Sequence, residues 1–445
     1  VTAQLDLSTT TDTTIDGGGN VTLDGGGATR VLEFNSANYR ATKTTVTLQH
    51  LTIAHGKSSG TPIPNAPAPC SQGVMLDGGG AGIFVRDGIL HVIDVTFDSN
   101  AGATPGPDVA GGGIYANGSL GVVVVGSRFV NGSGSNGGGL GSLNSDLTLV
   151  NDVFSGNKAL GSGANSISSA CDAGGGEVGN GGNGAAVSID GGSDGTVTIC
   201  GCTFANNAGG ALGGALFRTP DGATQDMNID RTTFDGNTAA QGAGAMYIHN
   251  SNLNITASTL SNNSAPTGGG IQADGTTVAF VNDTFAGNTA TKGLGGAMAL
   301  FGNGGSIKSC TFAGNQANAG SGYFGGAIAG NQTLTIDDTI FDQDTSQDCG
   351  APMACQDGSS TGASDLQWPQ DHVVCTNADT ACAAGGTTFA DPKLGTLGAN
   401  GGPTQTIVPG AGSPAIGAGT ACPSSDQRGT ARKATGCTIG AVEVQ

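Results

Sequence analysis

The 445-residue chain carries 83 Gly, 11% charged and 4% aromatic residues, and a formal net charge of −19. Glycine at that density costs a helix roughly 1 kcal/mol at each interior position, which excludes an ordinary helical globule, and the absence of a G-X-Y period excludes collagen. An acidic surface with 15 Lys+Arg argues against nucleic acid and against anionic lipid as partners.

Short apolar runs, such as residues 120–125 and Leu147–Val150, recur along the chain and each can bury a strand, so the composition is not that of a disordered segment. No run of about 18 apolar residues exists to span a bilayer as a helix. The sequence opens on Val1 with neither an initiator Met nor a signal peptide, which reads as a processed mature form. Residues 13–27 already read as coil: Thr13-Thr14-Ile15-Asp16-Gly17-Gly18-Gly19, then Val21-Thr22-Leu23-Asp24-Gly25-Gly26-Gly27.

From there one phrase returns. It is Phe97-Asp98-Ser99-Asn100, Phe154-Ser155-Gly156-Asn157, Phe204-Ala205-Asn206-Asn207, Phe234-Asp235-Gly236-Asn237, Leu260-Ser261-Asn262-Asn263, Phe285-Ala286-Gly287-Asn288, Phe312-Ala313-Gly314-Asn315 and Phe341-Asp342-Gln343-Asp344. The period is about 25 to 30 residues, the length of one β-helical coil. Between copies lies a second phrase, Gly-Gly followed by small and apolar residues, as in Gly213-Gly214-Ala215-Leu216 and Gly295-Gly296-Ala297-Met298. Short alternating strands such as Leu253-Asn254-Ile255-Thr256 complete each coil.

This pattern predicts an all-β fold, a right-handed parallel β-helix of about 12 to 13 coils over residues 1–344, followed by a non-repetitive, disulfide-containing cap over 345–445. Equivalent positions in successive coils lie about 4.8 Å apart, so Phe97, Phe154, Phe204, Phe234, Phe285 and Phe312 are expected to stack. Asn100, Asn157, Asn207, Asn237, Asn288 and Asn315 are expected to form an amide ladder. These columns are structural, not a site. Two insertions interrupt the period, near 57–79 with its prolines around Cys70 and near 162–184 around Cys171; a Cys70 to Cys171 bridge is one pairing among several. The close pairs Cys349/Cys355, Cys375/Cys382 and Cys422/Cys437 suit disulfides of an oxidising compartment, while Cys200, Cys202 and Cys310 suit buried thiols.

Past Asp344 the phrase stops and another signature begins. It comprises Asp391-Pro392-Lys393-Leu394-Gly395, Asn400-Gly401-Gly402-Pro403-Thr404, residues 409–416, Asp426-Gln427-Arg428-Gly429, Arg432, and Cys437 with Thr438-Ile439-Gly440-Ala441-Val442-Glu443. It resembles the C-terminus of bacterial "choice-of-anchor Q" β-helix proteins, and the coils resemble those of the same family and of polymorphic outer-membrane adhesins. The resemblance implies export, a pectate-lyase-like β-helix, and residence at or beyond the cell surface. The sorting segment and the "SLREAI"-like capping segment of that family are both missing from this sequence. Cys422 and Cys437 bracket Asp426, Arg428 and Arg432, which read as a structural charge network covering the last coil.

An enzyme on this fold would cleave polysaccharide by lyase or hydrolase chemistry. Its candidates are His50, His55 and His91, and Asp94, Asp152, Asp230, Asp283 and Asp337 before the Phe column, although a strand-end capping role explains those acids better. A single Trp, Trp368, and four Tyr offer few sugar platforms. No catalytic, cofactor-binding or metal residue is therefore assigned; Ca²⁺ is the one ion that the acidic stretches 16–27 and 190–194 would suit, without the tandem nonapeptides of dedicated calcium repeats. The reading is a secreted or cell-surface structural or adhesive protein that assembles with itself end to end into fibres, or binds surface glycans or proteins, with the polysaccharide-cleaving enzyme as the alternative.

Overall fold

A parallel strand satisfies its backbone groups only against a neighbour, and a strand of three to six residues buries too little surface to stand alone. The chain meets both demands by winding. A computed structural model describes residues 1–36, 38–58, 79–103, 110–162, 164–167, 177–191, 195–220, 224–318, 324–347, 354–356, 360–370 and 379–445. Over these it is an all-β parallel solenoid of about ten turns without helix. The insertion near 57–79 and Cys70, Cys171, Cys349 and Cys375 lie largely or wholly outside the described residues. From the insertion near 162–184, Ala164–Ile167 and Glu177–Gly181 form an antiparallel pair.

The chain divides into two compact units, residues 1–225 with 237–241, and 226–236 with 242–445. In the first, seven parallel strands line one face, from Leu5–Asp6 and Leu32–Asn35 to Val187–Asp190 and Leu216–Thr219. A second face stacks Thr13–Asp24 on Thr45–Ala54 and Ile89–Asp98, then on paired short strands such as Leu147–Val150 with Val153–Ser155. A third carries four two-residue strands, among them Lys158–Ala159 and Ala208–Gly209. The second unit repeats the plan, with five strands from Met246–His249 to Cys355–Gln356 on its first face. Because rungs on the three faces differ in number, a turn count falls below the 12 to 13 read from the repeat. The parallel ladder also continues past Asp344, through Asp365–Trp368 to Thr387–Phe389.

Inside the first unit, Phe97, Phe129, Phe154 and Phe204 stack at centroid distances of 4.7, 4.5 and 5.0 Å. In the second, Phe285, Phe312 and Phe341 stack at 4.6 and 5.0 Å, and Phe234 faces Leu260 in register. Three residues after each ring comes the amide column. Asn288 shows the rule: its Nδ2 donates to the Leu260 carbonyl and to Asn315 Oδ1, both 2.9 Å, while its Oδ1 accepts from the N–H and Nδ2 of Asn263. Asn157, Asn207 and Asn237 repeat this in the first unit, where Asn100 bonds Ile53 and Gly56. The Gly-Gly phrases make the return turn: Gly295 has φ 72°, and a Cβ on it would stand 2.1 Å from the Met298 carbonyl.

The tail is stapled by the Cys422–Cys437 disulfide. It lies along the flank of the second unit, against Ser258, Thr259, Asn282, Thr284, Thr311 and Asp338. A cover over the last coil was the sequence expectation; the tail instead also runs along earlier coils, where Gln427, the Gln405 carbonyl and the Ala441 N–H meet a row of outward hydroxyls. Gln427 is inserted among them, its Nε2 2.9 Å from Thr259 Oγ1 and its Oε1 accepting from Thr284 Oγ1 at 2.6 Å. Ile340, Leu366, Ala415 and Ile439 close the contact with an apolar cluster. The other described disulfide joins Cys355 to Cys382, correcting the Cys349/Cys355 and Cys375/Cys382 pairs, because partners 27 residues apart sit one coil apart at a Cα separation of 5.1 Å.

Replacing Asn288 by Ala removes the side-chain partner of two buried groups, the Leu260 carbonyl and the Asn263 N–H, and is expected to cost about 2 to 4 kcal/mol. The outward Asn254, whose Nδ2 donates to Asn228 Oδ1 at 2.9 Å, is expected to cost under about 1 kcal/mol when changed to Ala. Denaturant titration of the two variants checks the contrast.

Candidate functional site

Two residues before each ring, where one short strand bends into the next, a second buried column runs through the coils. In the first unit Val95 N–H donates to Ser127 Oγ, Ser127 N–H to Asp152 Oδ1, and Asp152 N–H to Cys202 Sγ. In the second, Thr232 N–H donates to Ser258 Oγ, Ser258 N–H to Asp283 Oδ1, Asp283 N–H to Cys310 Sγ, Cys310 N–H to Thr339 Oγ1 and Thr339 N–H to Asp365 Oδ1. The Ser, Thr and Cys members, with Asp152 and Asp283, also bond the backbone two residues before them, as Ser258 does to Thr256 and Asp283 to Val281. One inward acceptor per coil is what the corner needs, and Ser, Thr, Cys and Asp all supply it.

Asp152 and Asp283 are thereby column members, and Cys202 and Cys310 are thiols of the same column. Burial raises Cys202 to about 12 and Cys310 in the same direction, which silences both as nucleophiles. Burial also raises Asp152 to about 7 and Asp365 to about 8, only partly offset by the N–H groups they accept, and it raises Asp283. At the end of the amide column Asp344 replaces Asn. Its Oδ1 accepts two bonds from Asn315, its buried Oδ2 has no hydrogen-bond partner among the described residues, and burial lifts it to about 8.

The remaining sequence candidates sit in separate surroundings. His50 Nδ1 is 3.2 Å from Asp16 and His55 Nδ1 is 3.1 Å from Asp24, all four side chains about half exposed. The Gly18 N–H bond holds Asp16 below the usual carboxylate range, helped by Gln49 and His50; the Gly26 N–H and His55 do the same for Asp24. His91 stands in register with Thr47 and Val123. Asp94 occupies a positive-φ bend, Asp230 pairs with Arg231, and Asp337 accepts the Ala363 N–H. Asp426 receives five donors from Arg428, Thr430 and Glu443, so its lone pairs are spent on the tail. Arg432 binds Asn282, Thr438 and Gly440.

Of the stretches suited to Ca²⁺, Asp16 and Asp24 turn a carboxylate oxygen back onto their own glycine loops, and residues 192–194 lie outside the described chain. Among the described residues the one close group of three metal-type ligands is Asp338 with Cys422 and Cys437, whose sulfurs form the disulfide. Ordered polar groups that the sequence did not flag include Asp87. Burial pushes its carboxyl up, but bonds from Ser36, Thr42 and Ala41 outweigh that and hold it at about 2.

One outward row differs from the rest. Asp235, Ser261, Ala286, Ala313, Asp342 and Trp368 follow one another in register, so small residues lead up to a carboxyl beside the chain's single Trp, both half-buried. The next strand, Thr387–Phe389, stacks on Asp365–Trp368 and delivers Asp391 two residues on. Burial and then the Asp391 charge raise Asp342 to about 6. Trp368 stood out in the sequence as the single Trp, whereas Asp342 and Asp391 appear there only as parts of the repeat and of the C-terminal signature: the coil register, 26 residues from Asp342 to Trp368, puts them together.

No protein-family model matches the sequence, and comparison with curated proteins gives no match. Among solved structures the chain is similar to a crystal structure of the pectate lyase Pel9A. It is 13% identical, the alignment covers 93% of this chain and 91% of that one, and the TM-score is 0.28. A superposition at that level carries no argument about activity.

The raised acids fix the sign of the pH response. A folded state that holds protons on Asp152, Asp344 and Asp365 keeps its full stability below the ordinary value of 3.8 and loses it as pH climbs towards about 8. Asp87 acts oppositely, losing its contribution as pH falls from 3.8 towards about 2. Denaturation midpoints are expected to peak between about pH 4 and pH 5. Asp344→Asn, whose new Nδ2 would face the Phe312 carbonyl, is expected to raise the midpoint at pH 8 and leave it unchanged at pH 4, which a pH series of unfolding curves checks.

Proposed function

We propose that this chain is an extracellular structural or adhesive β-helix protein. The observation that carries the reading is the fate of its reactive residue types: the inward Asp and Cys side chains are rungs of hydrogen-bonded columns, and Asp426, Arg428 and Arg432 are consumed in holding the tail. The two described disulfides support the extracellular part of the reading, since such bonds persist in oxidising compartments. The tail's resemblance to choice-of-anchor Q proteins supports export to the cell surface.

End-to-end assembly with further copies belongs to the same proposal. Parallel coils stacked by one translation offer at each end of the stack the same strand edge that their neighbours use within it. A second reading, a glycan-cleaving enzyme, is favoured by one observation, the raised carboxyl of Asp342 near Asp391.

Incubation with a panel of neutral and acidic polysaccharides is expected to release neither reducing ends nor unsaturated uronates. Turnover that disappears in Asp342→Asn would replace the structural reading by the enzymatic one. Electron micrographs of concentrated native protein are expected to show end-to-end filaments, and monomers alone would remove the assembly part.

A further inference from the structure

We infer that the outward row ending at Trp368 is a saccharide subsite, and that its ligand is an uncharged oligosaccharide. The inference deepens the adhesive reading, on which it rests for its biological setting, by naming the class of partner. Sugars are held where an aromatic face meets the C–H face of a pyranose ring and a polar group beside it takes the hydroxyls. Trp368 and Asp342 supply that pair on adjacent strands, in direct register and half-buried, so both are fixed by the sheet before any ligand arrives. The Ala313 side chain next in the row is small and part-exposed, which leaves room beside Asp342 for a ring, while Ala286 and Ser261 beyond it are buried.

Three features select the ligand's charge. The two carboxyl groups at the subsite, Asp342 and Asp391, bear on one another electrostatically. The Asp391 side chain is exposed, with Oδ1 accepting the Lys393 N–H at 2.7 Å. The chain as a whole carries −19. A uronate placed on Trp368 would meet the like charges of Asp342 and Asp391, whereas a neutral pyranose can both donate hydroxyls to Asp342 and accept from it when it is protonated. Polygalacturonate is therefore the wrong substrate for this surface, whatever the winding of the chain resembles.

Trp368 is the chain's single Trp, so its emission reports on this position alone. Cello-, xylo-, malto- and chito-oligosaccharides and oligogalacturonate are titrated into the full chain while that emission is recorded. At least one neutral series is expected to shift or quench it saturably, with Kd in the range of about 0.1 to 10 mM. Oligogalacturonate is expected to leave it unchanged. Asp342→Ala keeps the fluorophore and is expected to weaken binding about tenfold, with its unfolding midpoint measured as the control for folding. Trp368→Ala, followed by calorimetry with the same ligand, is expected to abolish binding.

No response to any neutral series, equal response to oligogalacturonate, or unaltered affinity in a folded Asp342→Ala would each overturn the inference. Binding accompanied by cleavage would leave the subsite standing and fell the adhesive reading. Filaments without glycan binding would do the reverse.

Discussion

Stacked coils impose one condition on everything turned inward: whatever a side chain needs must be available one rung away, at the spacing between neighbouring parallel strands. An apolar ring meets the condition by lying on an identical ring, and an amide meets it by offering a donor to one neighbour and an acceptor to the other. Both the Phe stack and the Asn ladder follow from this single translation. The corner column follows from it too, but more loosely. A corner asks only for an acceptor, so a hydroxyl, a thiol and a carboxyl are interchangeable there in geometry although not in charge. Three acids have been accepted into that column, where burial favours their protonated form.

How much of this was legible depended on whether a column repeats a residue or only a function. Phe and Asn recur as letters, so their spacing was readable before any coordinates. The corner column reads Ser127, Asp152, Cys202, then Thr232, Ser258, Asp283, Cys310, Thr339 and Asp365, and no alphabet of single letters reveals it. Asp152 and Asp283 were noticed for their place before the rings, while Asp94, Asp230 and Asp337 were grouped with them although each is off by one or more positions and faces elsewhere. Proximity in sequence also misled the cysteine pairing. On a winding chain the near neighbour in space is one period away, as Cys355 and Cys382 are. The same rule hides the Asp342 and Trp368 pair until the register is known.

The tail illustrates a different limit. Its charge network and disulfide were readable as structural from Asp426, Arg428, Arg432, Cys422 and Cys437, yet the sequence held no statement of which surface they served. That surface is the outward row Thr259, Thr284 and Thr311, which is fully covered in the second unit, whereas the corresponding Thr203 in the first is partly open. Threonines that look like ordinary strand residues are there a docking strip, satisfied by Gln427, Gln405 and Ala441.

A strip of this kind alters how the second unit comes apart. Repeats that touch only their neighbours peel away singly, each loss leaving the rest nearly as stable as before. A segment that bonds Thr259, Thr284, Thr311 and Asp338 at once works like a batten nailed across adjacent planks: none of those four coils lifts without breaking its hold on the others. The flank that carries the tail thus turns a sequence of small, independent openings into one large event, and gives that stretch of the solenoid a resistance to pulling that its individual coils do not possess.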